Sequence, residues 1–341
     1  MRIKNCLTGA LIAGAVTTMA ATSAMADYKP LKADPKELNF GIISTESVAN
    51  LKEQWIPMMK AMEEQIGMKI NPFFAPDYAG VIEAMRFGKV HLAWFGNKSG
   101  MEAVDRAGGE VFVQTSKKGG KQGYYSHIIT HVDNKNINSL KDIFKCDKSL
   151  NFGIGDPNST SGYLVPSYYV FAQNNVDPKS CFKTMRSANH EINLMAVAHK
   201  QVQIAANNSE QLARSKKKAP DAAAKIKVIW TSPLIPSDPL VYRRDMSKEL
   251  KSRIKGFFLA FGRYGDTKKA NMILGNISDG MGYFMESSNA QLHPIRQLAL
   301  FKKRLKVTNS AMAKADKDKK ATAIDAELAM LAQVVDARNL Y

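Results

Sequence analysis

The first third of the chain alternates between short apolar runs and helical spacing of apolar residues. Residues 38–43 are mostly apolar and predict a strand. Hydrophobic residues then recur at intervals of three and four over residues 51–66, which predicts an amphipathic helix. Pro57 interrupts this pattern, so we expect the regular helix to start near Trp55. Gly67 follows the last apolar position and is expected to end the helix.

This alternation of strand and helix continues along the chain. A strand is predicted at 69–74, a short helix at 79–87 and a further strand at 90–95. The pattern restarts in the middle of the chain, with strands predicted at 124–130, 151–154 and 226–230. Repeated strand–helix–strand units predict an α/β fold with mostly parallel sheets. The two strand-rich blocks join near 120 and 235, which predicts two lobes.

The N-terminus has the three parts of a secretory signal peptide. Arg2 and Lys4 precede a mostly apolar stretch over residues 7–21, and a small-x-small cleavage motif occupies residues 24–26. This order predicts cleavage after Ala26 and export of the mature chain. The apolar stretch is shorter than a membrane-spanning helix requires, and no internal run of 18 apolar residues follows it.

Because export is predicted, the cysteines of the mature chain are expected to lie in an oxidising compartment. Cys6 lies within the predicted signal, so Cys146 and Cys181 remain in the mature chain. An even pair in an oxidising compartment is typical of a disulfide, and two free buried thiols are the alternative. Their separation fits a cross-link within one domain rather than a catalytic pair.

The net charge of the chain is strongly positive, but it does not by itself identify a binding partner. The 341 residues contain 48 Lys and Arg against 31 Asp and Glu, a net charge of +17. The predicted signal contributes only Arg2 and Lys4, so its removal leaves +15. The basic residues are dispersed and no nucleic-acid-binding module is recognisable, so we predict no nucleic-acid partner. Attraction of an anionic ligand or simple solubility are the remaining explanations.

No local motif predicts catalysis, a cofactor or a metal. Phosphate-loop, nucleophile-elbow and Cys-x-x-Cys motifs are absent, and the glycines near 153 lack the third glycine of a dinucleotide site. His127 and His131 have a metal-like spacing, but β-branched residues separate them and predict a strand. Along a strand their rings would stand roughly 13 Å apart, too far to share one ion.

The most informative segment is 155–162, which follows a predicted strand and contains three consecutive hydroxyl residues. Ser159, Thr160 and Ser161 fall at a predicted helix start, where backbone N–H groups lack partners. Hydroxyl donors beside such a helix end make an oxyanion site. The alternative is that Ser159 only caps the helix. Pro166 falls inside the predicted helix and must bend or delay it.

Long runs of residues, including this segment, carry a resemblance to a known family. They are residues 38–47, 74–80, 101–107, 155–162, 232–236 and 294–302. The chain resembles the periplasmic phosphonate-binding proteins, the substrate-capturing subunits of phosphonate ABC transporters. The resemblance implies a two-lobed, type II periplasmic binding protein of the α/β class, with mixed sheets flanked by helices and the ligand between the lobes. The implied divisions are 1–26 (signal), 27–122 with 240–300 (lobe 1), 123–239 (lobe 2) and 301–341 (helical tail).

The resemblance also implies the ligand-binding residues. They are Tyr78, Tyr124, Ser159, Thr160, Ser161, His190, Glu210 and Asp238. The hydroxyl residues and the histidine match the phosphonate end of the site, the tyrosines match cleft positions, and the two carboxylates match positions that meet a ligand ammonium. Carboxylates beside an ammonium form charge-assisted hydrogen bonds, and they disfavour bare phosphate because their charges would stay unpaired. Phe95 stands where the related protein has Tyr.

The expected function is therefore binding rather than catalysis. We predict a periplasmic solute-binding protein that captures phosphonates, 2-aminoethylphosphonate above all, and delivers them to an ABC permease. Its lobes are expected to close about hinges near 121–124 and 235–240. The alternatives are a receptor for phosphate, phosphite or a simple alkylphosphonate, and an enzyme on the same two-lobed fold. An apolar stripe in the tail, between 323 and 335, predicts packing on the chain's own lobe or a homodimer.

Overall fold

The computed structural model describes residues 28–338. The predicted signal peptide, with its cleavage site after Ala26, lies outside this range. Within it, no helix combines the length and apolar character needed to span a bilayer. The strands are β1 (Leu38–Ile42), β2 (Ile70–Phe74), β3 (Leu92–Trp94), β4 (Gly109–Gln114), β5 (Ser126–His131), β6 (Asn151–Ile154), β7 (Thr184–Ser187), β8 (Ile204–Asn208), β9 (Ile226–Thr231), β10 (Pro239–Arg243) and β11 (Met285–Glu286). The α-helices are α1 (Val48–Ile66), α2 (Tyr78–Arg86), α3 (Asn97–Arg106), α4 (Leu140–Ile143), α5 (Pro178–Cys181), α6 (His190–Ala198), α7 (Ser209–Lys218), α8 (Pro220–Ala223), α9 (Lys248–Ala260), α10 (Thr267–Ile277), α11 (His293–Thr308) and α12 (Lys314–Arg338).

Two mixed sheets organise the fold and confirm the α/β class. The first sheet has the order β11-β4-β10-β3-β1-β2, and the second has β7-β6-β8-β5-β9. In the first, β1 is parallel to β2 and β3, but β10 is antiparallel to β3 and β4. The prediction of mostly parallel sheets is therefore wrong here. The strand β10 returns from the second sheet and inserts between β3 and β4 in the opposite direction, which local sequence patterns do not reveal.

Helix α1 corrects the expectation about its start. It begins at Val48, where the Ser47 side chain accepts a hydrogen bond from the Asn50 N–H, and Pro57 lies within it. A proline inside a helix costs about 3 kcal/mol. The apolar face of α1 is buried against the first sheet, and burial of several large side chains outweighs that cost. Gly67 ends the helix in the left-handed conformation at φ 68°, as predicted.

The chain crosses between the two sheets twice, and the crossing segments lie side by side. Tyr124 and Ile235 exchange two backbone hydrogen bonds of 3.0 and 2.8 Å. The Gly123 N–H donates to the Ser237 hydroxyl at 2.7 Å. Both segments fall where the hinges were predicted. The division of the chain into moving lobes at these points remains a prediction.

The cysteine pair and the tail also have definite places. Cys146 and Cys181 form a disulfide within the second half of the fold, as predicted. The tail stripe packs on its own chain, because Ile324 of α12 is buried in a cluster with Leu300 and Val307 of α11. The homodimer through this helix has no support from these contacts.

Candidate functional site

A cavity lies between the two sheets, beside the crossing segments. Its lining includes Trp55, Trp94, Tyr124, His190, Glu210 and Asp238. The two tryptophans come from the side of the first sheet, whereas the histidine and Glu210 come from the second. Four of the predicted ligand-binding residues therefore line the cavity directly. The other four, Tyr78 and the three hydroxyl residues, are buried outside the lining itself.

A close approach of two backbone segments positions the hydroxyl residues. The Gly155 N–H donates to the Gly162 carbonyl at 2.8 Å, and a Cβ at Gly155 would lie 2.6 Å from the Gly162 Cα. Only glycine fits such an approach. Ser159 caps the following helix by accepting from the Gly162 N–H at 3.0 Å. The helix passes through Pro166 by widening its turns to the π type over Thr160–Leu164 and Ser167–Phe171.

Each of the three hydroxyl oxygens already accepts a hydrogen bond. Ser159 accepts from the Gly162 N–H, and Thr160 accepts from the Lys98 N–H at 2.8 Å. Ser161 accepts from the Asn208 side-chain amide at 3.1 Å. A hydroxyl that accepts in this way keeps its proton for donation. The set is buried, with each residue 2% exposed, and suits an oxyanion that brings only acceptors.

His190 lies at the first turn of α6, next to this set. Its Nε2 is 3.4 Å from the Ser159 Oγ and 3.5 Å from the Ser161 Oγ. Its Nδ1 is buried and has no partner among the described residues. Burial lowers the pKa of His190 to about 4. The imidazole is therefore neutral at neutral pH and contributes hydrogen bonds rather than charge.

The two tyrosines connect the hydroxyl set to the carboxylates. Tyr78 begins α2 and lies beside Ser159, whereas Tyr124 lies beside Asp238 and Ser161. Burial first, and the charge of nearby Asp238 as well, raise the pKa of both phenols well above their usual range. Both therefore remain protonated and able to donate.

The two carboxylates have different surroundings. The Oδ1 of Asp238 is buried and accepts no hydrogen bond from the part of the chain that the structure describes. Burial, with a smaller contribution from the charge of Glu210, raises the pKa of Asp238 to about 8. Glu210 is already neutralised, since its Oε2 is 2.6 Å from the Lys117 Nζ and accepts from the Ser278 hydroxyl at 2.6 Å. Asp238 is thus the carboxylate that most needs a cation.

Several cavity residues escaped the sequence analysis. Trp55 occupies the apolar face of α1 and has the spacing of a core residue, so its pattern gave no functional signal. Arg214 follows Glu210 by four residues on α7, a same-face spacing that was available as a signal. Lys117 and Gln211 had no signal of this kind in the sequence. All four line the same cavity as Asp238.

Contacts across the cleft hold the two sides together. The Ser47 N–H donates to a Glu191 carboxylate oxygen at 2.7 Å, and the Lys98 N–H bonds to Thr160. Lys218 pairs with Glu53 at 2.6 Å on the rim. The arrangement encloses the cavity between the two sides.

The sequence profile of one protein family matches most of the chain. This family, described as the periplasmic substrate-binding protein of phosphonate ABC transporters, matches residues 40–289. The chain belongs to this family. As a phosphonate-binding protein of an ABC transporter, it works in the periplasm with a small-molecule ligand and a membrane permease.

Individual relatives agree with this membership. The phosphonates-binding periplasmic protein of Escherichia coli is 50% identical over 315 residues, covering 92% of this chain and 91% of the relative. A binding-protein component of an ABC phosphonate transporter from Pseudomonas aeruginosa has a solved structure with TM-score 0.85 and 50% identity, covering 90% of this chain and 100% of that one. A Prochlorococcus marinus protein, solved with methylphosphonate, has TM-score 0.67 at 21% identity and covers 78% and 98%, which supports the shared fold. The type II binding-protein fold is confirmed.

Proposed function

We propose that this phosphonate-binding protein captures 2-aminoethylphosphonate, without chemical conversion, and releases it to its permease. The observation that carries the proposal is the buried, unpartnered Oδ1 of Asp238 beside a buried set of hydroxyl donors. A ligand that is anionic at one end and cationic at the other satisfies both groups. A bare anion would satisfy only the hydroxyls.

The roles follow from the surroundings of each group. Ser159, Thr160 and Ser161 would donate to the phosphonate oxygens, with His190 and Tyr78 beside them. Tyr124 would orient Asp238 at the ammonium end. An ammonium has three protons to donate, and Asp238, Glu210 and the unpartnered Oε1 of Gln211 offer acceptors for them.

Closure of two lobes would complete the site. The lobes we propose are 27–122 with 240–300 and 123–239, with hinges at the crossing segments. Residues from both sides meet at Lys117 and Glu210 and at Lys98 and Thr160, so opening would separate the halves of the site. The predicted export signal, cut after Ala26, agrees with a periplasmic protein.

A receptor for methylphosphonate or phosphate is the second candidate. It is favoured by the pKa of about 8 of Asp238, because a protonated Asp238 at neutral pH is uncharged and donates to an anion's oxygen. The two candidates differ in which ligand binds more tightly.

Calorimetric titration of the ligand-stripped mature protein with 2-aminoethylphosphonate, methylphosphonate and phosphate at pH 7.5 distinguishes them. We expect the aminated ligand to bind roughly 100-fold more tightly than the other two, since pairing a buried carboxylate is worth several kcal/mol. Phosphate or methylphosphonate binding as tightly as the aminated ligand would retain the hydroxyl site and reject the ammonium site. Absence of binding by all three would reject the proposal.

Removal of one hydroxyl tests the oxyanion end separately. Ser161→Ala should weaken 2-aminoethylphosphonate and methylphosphonate by a similar factor, about tenfold, because both present the same phosphonate group. Ser180→Ala is the matched control, since Ser180 is exposed on α5. If only the aminated ligand lost affinity, the phosphonate group would not bind at Ser161. Titration of both ligands against both variants gives the comparison.

A further inference from the structure

The cavity contains more unpartnered donors than 2-aminoethylphosphonate can satisfy. The indole N–H groups of Trp55 and Trp94 and the Nε–H of Arg214 are buried, and none of them has a hydrogen-bond partner within residues 28–338. All three side chains line the cavity that contains Asp238. Buried polar groups in folded proteins are nearly always hydrogen-bonded, so three such donors in one cavity favour a ligand that brings an acceptor to them.

The two tryptophans lie side by side and next to the ammonium end of the site. Their ring centroids are 5.2 Å apart, and Trp55 is fully buried. Trp94 ends β3, where it pairs with Leu240 of β10 two residues beyond Asp238. The strand pairing therefore places Trp94 close to Asp238, and both residues line the same cavity.

Arg214 reaches the same place from the opposite side of the cleft. One of its guanidinium nitrogens, Nη1, contacts Glu46, which is buried and also accepts from the Gln54 side chain. This pairing fixes the guanidinium and leaves its Nε–H for another acceptor. Glu46 and Gln54 directly neighbour Thr45 and Trp55 in sequence. The N–H donors of Trp55, Trp94 and Arg214 therefore come together only when both sides of the cleft meet.

The proposed ligand leaves these donors unpaired. The phosphonate of 2-aminoethylphosphonate is assigned to the hydroxyl set, and its ammonium only donates. A carboxylate, by contrast, offers about four lone-pair sites and can accept from three N–H groups. If that carboxylate sits on the carbon that bears the amine, the ammonium stays between it and Asp238 and offsets the negative charge of both.

We propose that Trp55, Trp94 and Arg214 form a carboxylate subsite, so that the preferred ligands are aminophosphonates with a carboxylate on the amine-bearing carbon. The proposal rests on the proposed function, because it places phosphonate and ammonium as above. The probe is 2-amino-3-phosphonopropionate, compared with 2-aminoethylphosphonate. We expect the carboxylated compound to bind about tenfold more tightly to the unaltered protein.

Variants that remove only the N–H groups make the test specific. Trp55→Phe and Trp94→Phe keep an aromatic ring in the cavity but delete the donor. Each should weaken 2-amino-3-phosphonopropionate about tenfold more than it weakens 2-aminoethylphosphonate, because only the carboxylated ligand loses an N–H donor. Trp230→Phe is the matched control, since Trp230 lies outside the cavity lining and should change neither affinity. Thermal unfolding of each variant confirms that it is folded.

The outcomes separate this proposal from the function on which it rests. Tight binding of 2-aminoethylphosphonate with no gain for the carboxylated ligand rejects the subsite and keeps the function. Equal losses for both ligands in the tryptophan variants show that the indoles act only by packing, and also reject the subsite. The hydroxylated analogue 2-amino-1-hydroxyethylphosphonate provides a further comparison. If its affinity exceeds that of 2-aminoethylphosphonate by as much as the carboxylated ligand's does, the assignment to a carboxylate is overturned. Failure of all phosphonates to bind rejects the function itself.

Discussion

Asp238→Asn should lower the affinity for 2-aminoethylphosphonate by about 100- to 1,000-fold at pH 7.5, the largest loss expected from any single change at the site. The substitution keeps the shape of the side chain, but it removes the carboxylate that would ionise to face the ammonium. Removing one partner of a buried ion pair costs about 3–5 kcal/mol, because the other charge is left without compensation. Calorimetric titration of variant and unaltered protein measures the ratio.

Glu210→Gln is the matched control for that loss. Glu210 is paired with Lys117 and bonded to Ser278 before any ligand arrives, so a ligand ammonium gains less from it. We expect a loss of no more than about tenfold. Methylphosphonate should bind Asp238→Asn at least as well as the unaltered protein, since it has no ammonium to lose. Equal losses in the two carboxylate variants would contradict the unequal roles that the contacts indicate.

The same variant should stabilise the ligand-free protein, and by an amount that grows with pH. Asp238 has a pKa of about 8 in the folded protein, raised chiefly by burial, against about 3.9 in an unfolded chain. Between these values the folded state keeps a proton that the unfolded state has lost, so folding stability falls as pH rises. Asparagine has no proton to lose. Its advantage should be near zero at pH 4 and reach about 3–5 kcal/mol above pH 8.

The comparison between variant and unaltered protein isolates this effect. Burial lowers the pKa of His190 to about 4, which by itself makes stability rise between pH 4 and 6.5 and opposes the Asp238 contribution over that range. His190 is present in both proteins, so its contribution cancels in the difference. Urea unfolding at pH 5, 6.5, 8 and 9 gives the free energies. Asp279→Asn, which changes an exposed carboxylate with a lowered pKa, should show no such gain.

Together these two predictions describe a site in which the carboxylate that recognises the ligand lowers the folding stability of the empty protein. A buried carboxylate without a partner is unfavourable in the empty protein and becomes favourable when a cation arrives. Loss of affinity and gain of stability should therefore occur in the same variant. A variant that loses affinity and stability together would indicate a structural role for Asp238 instead.

Much of the candidate site could be predicted from the sequence, because it lies in continuous segments. Ser159, Thr160 and Ser161 are consecutive and follow a strand, so local chemistry alone favoured an oxyanion site or a cap. The structure shows that Ser159 does cap its helix, and a hydroxyl that accepts from a backbone N–H can still donate its proton. Tyr124 and Asp238 lie in the two crossing segments, and the alternation of strands along the sequence locates both segments.

The rest of the site had no local signal. Trp55 has the spacing of a core residue on α1 and becomes a cavity residue only because Trp94 packs beside it and Arg214 lines the cavity from the other side. Glu210 gave no indication in the sequence that Lys117 would neutralise it. Burial of a charge, or its pairing, depends on side chains that are distant along the chain, and it decides which carboxylate meets a ligand.

The sequence by itself determined the α/β class, most strand positions and the segments that carry the site, because the periods of strand and helix and the preferences of glycine and hydroxyl residues are local properties. Only the tertiary structure decided that α1 continues through Pro57, since burial against the first sheet outweighs the local cost of proline. It also decided the antiparallel insertion of β10 and the unequal surroundings of Asp238 and Glu210. Each of these depends on contacts between segments far apart in the chain, where packing and desolvation override local preference.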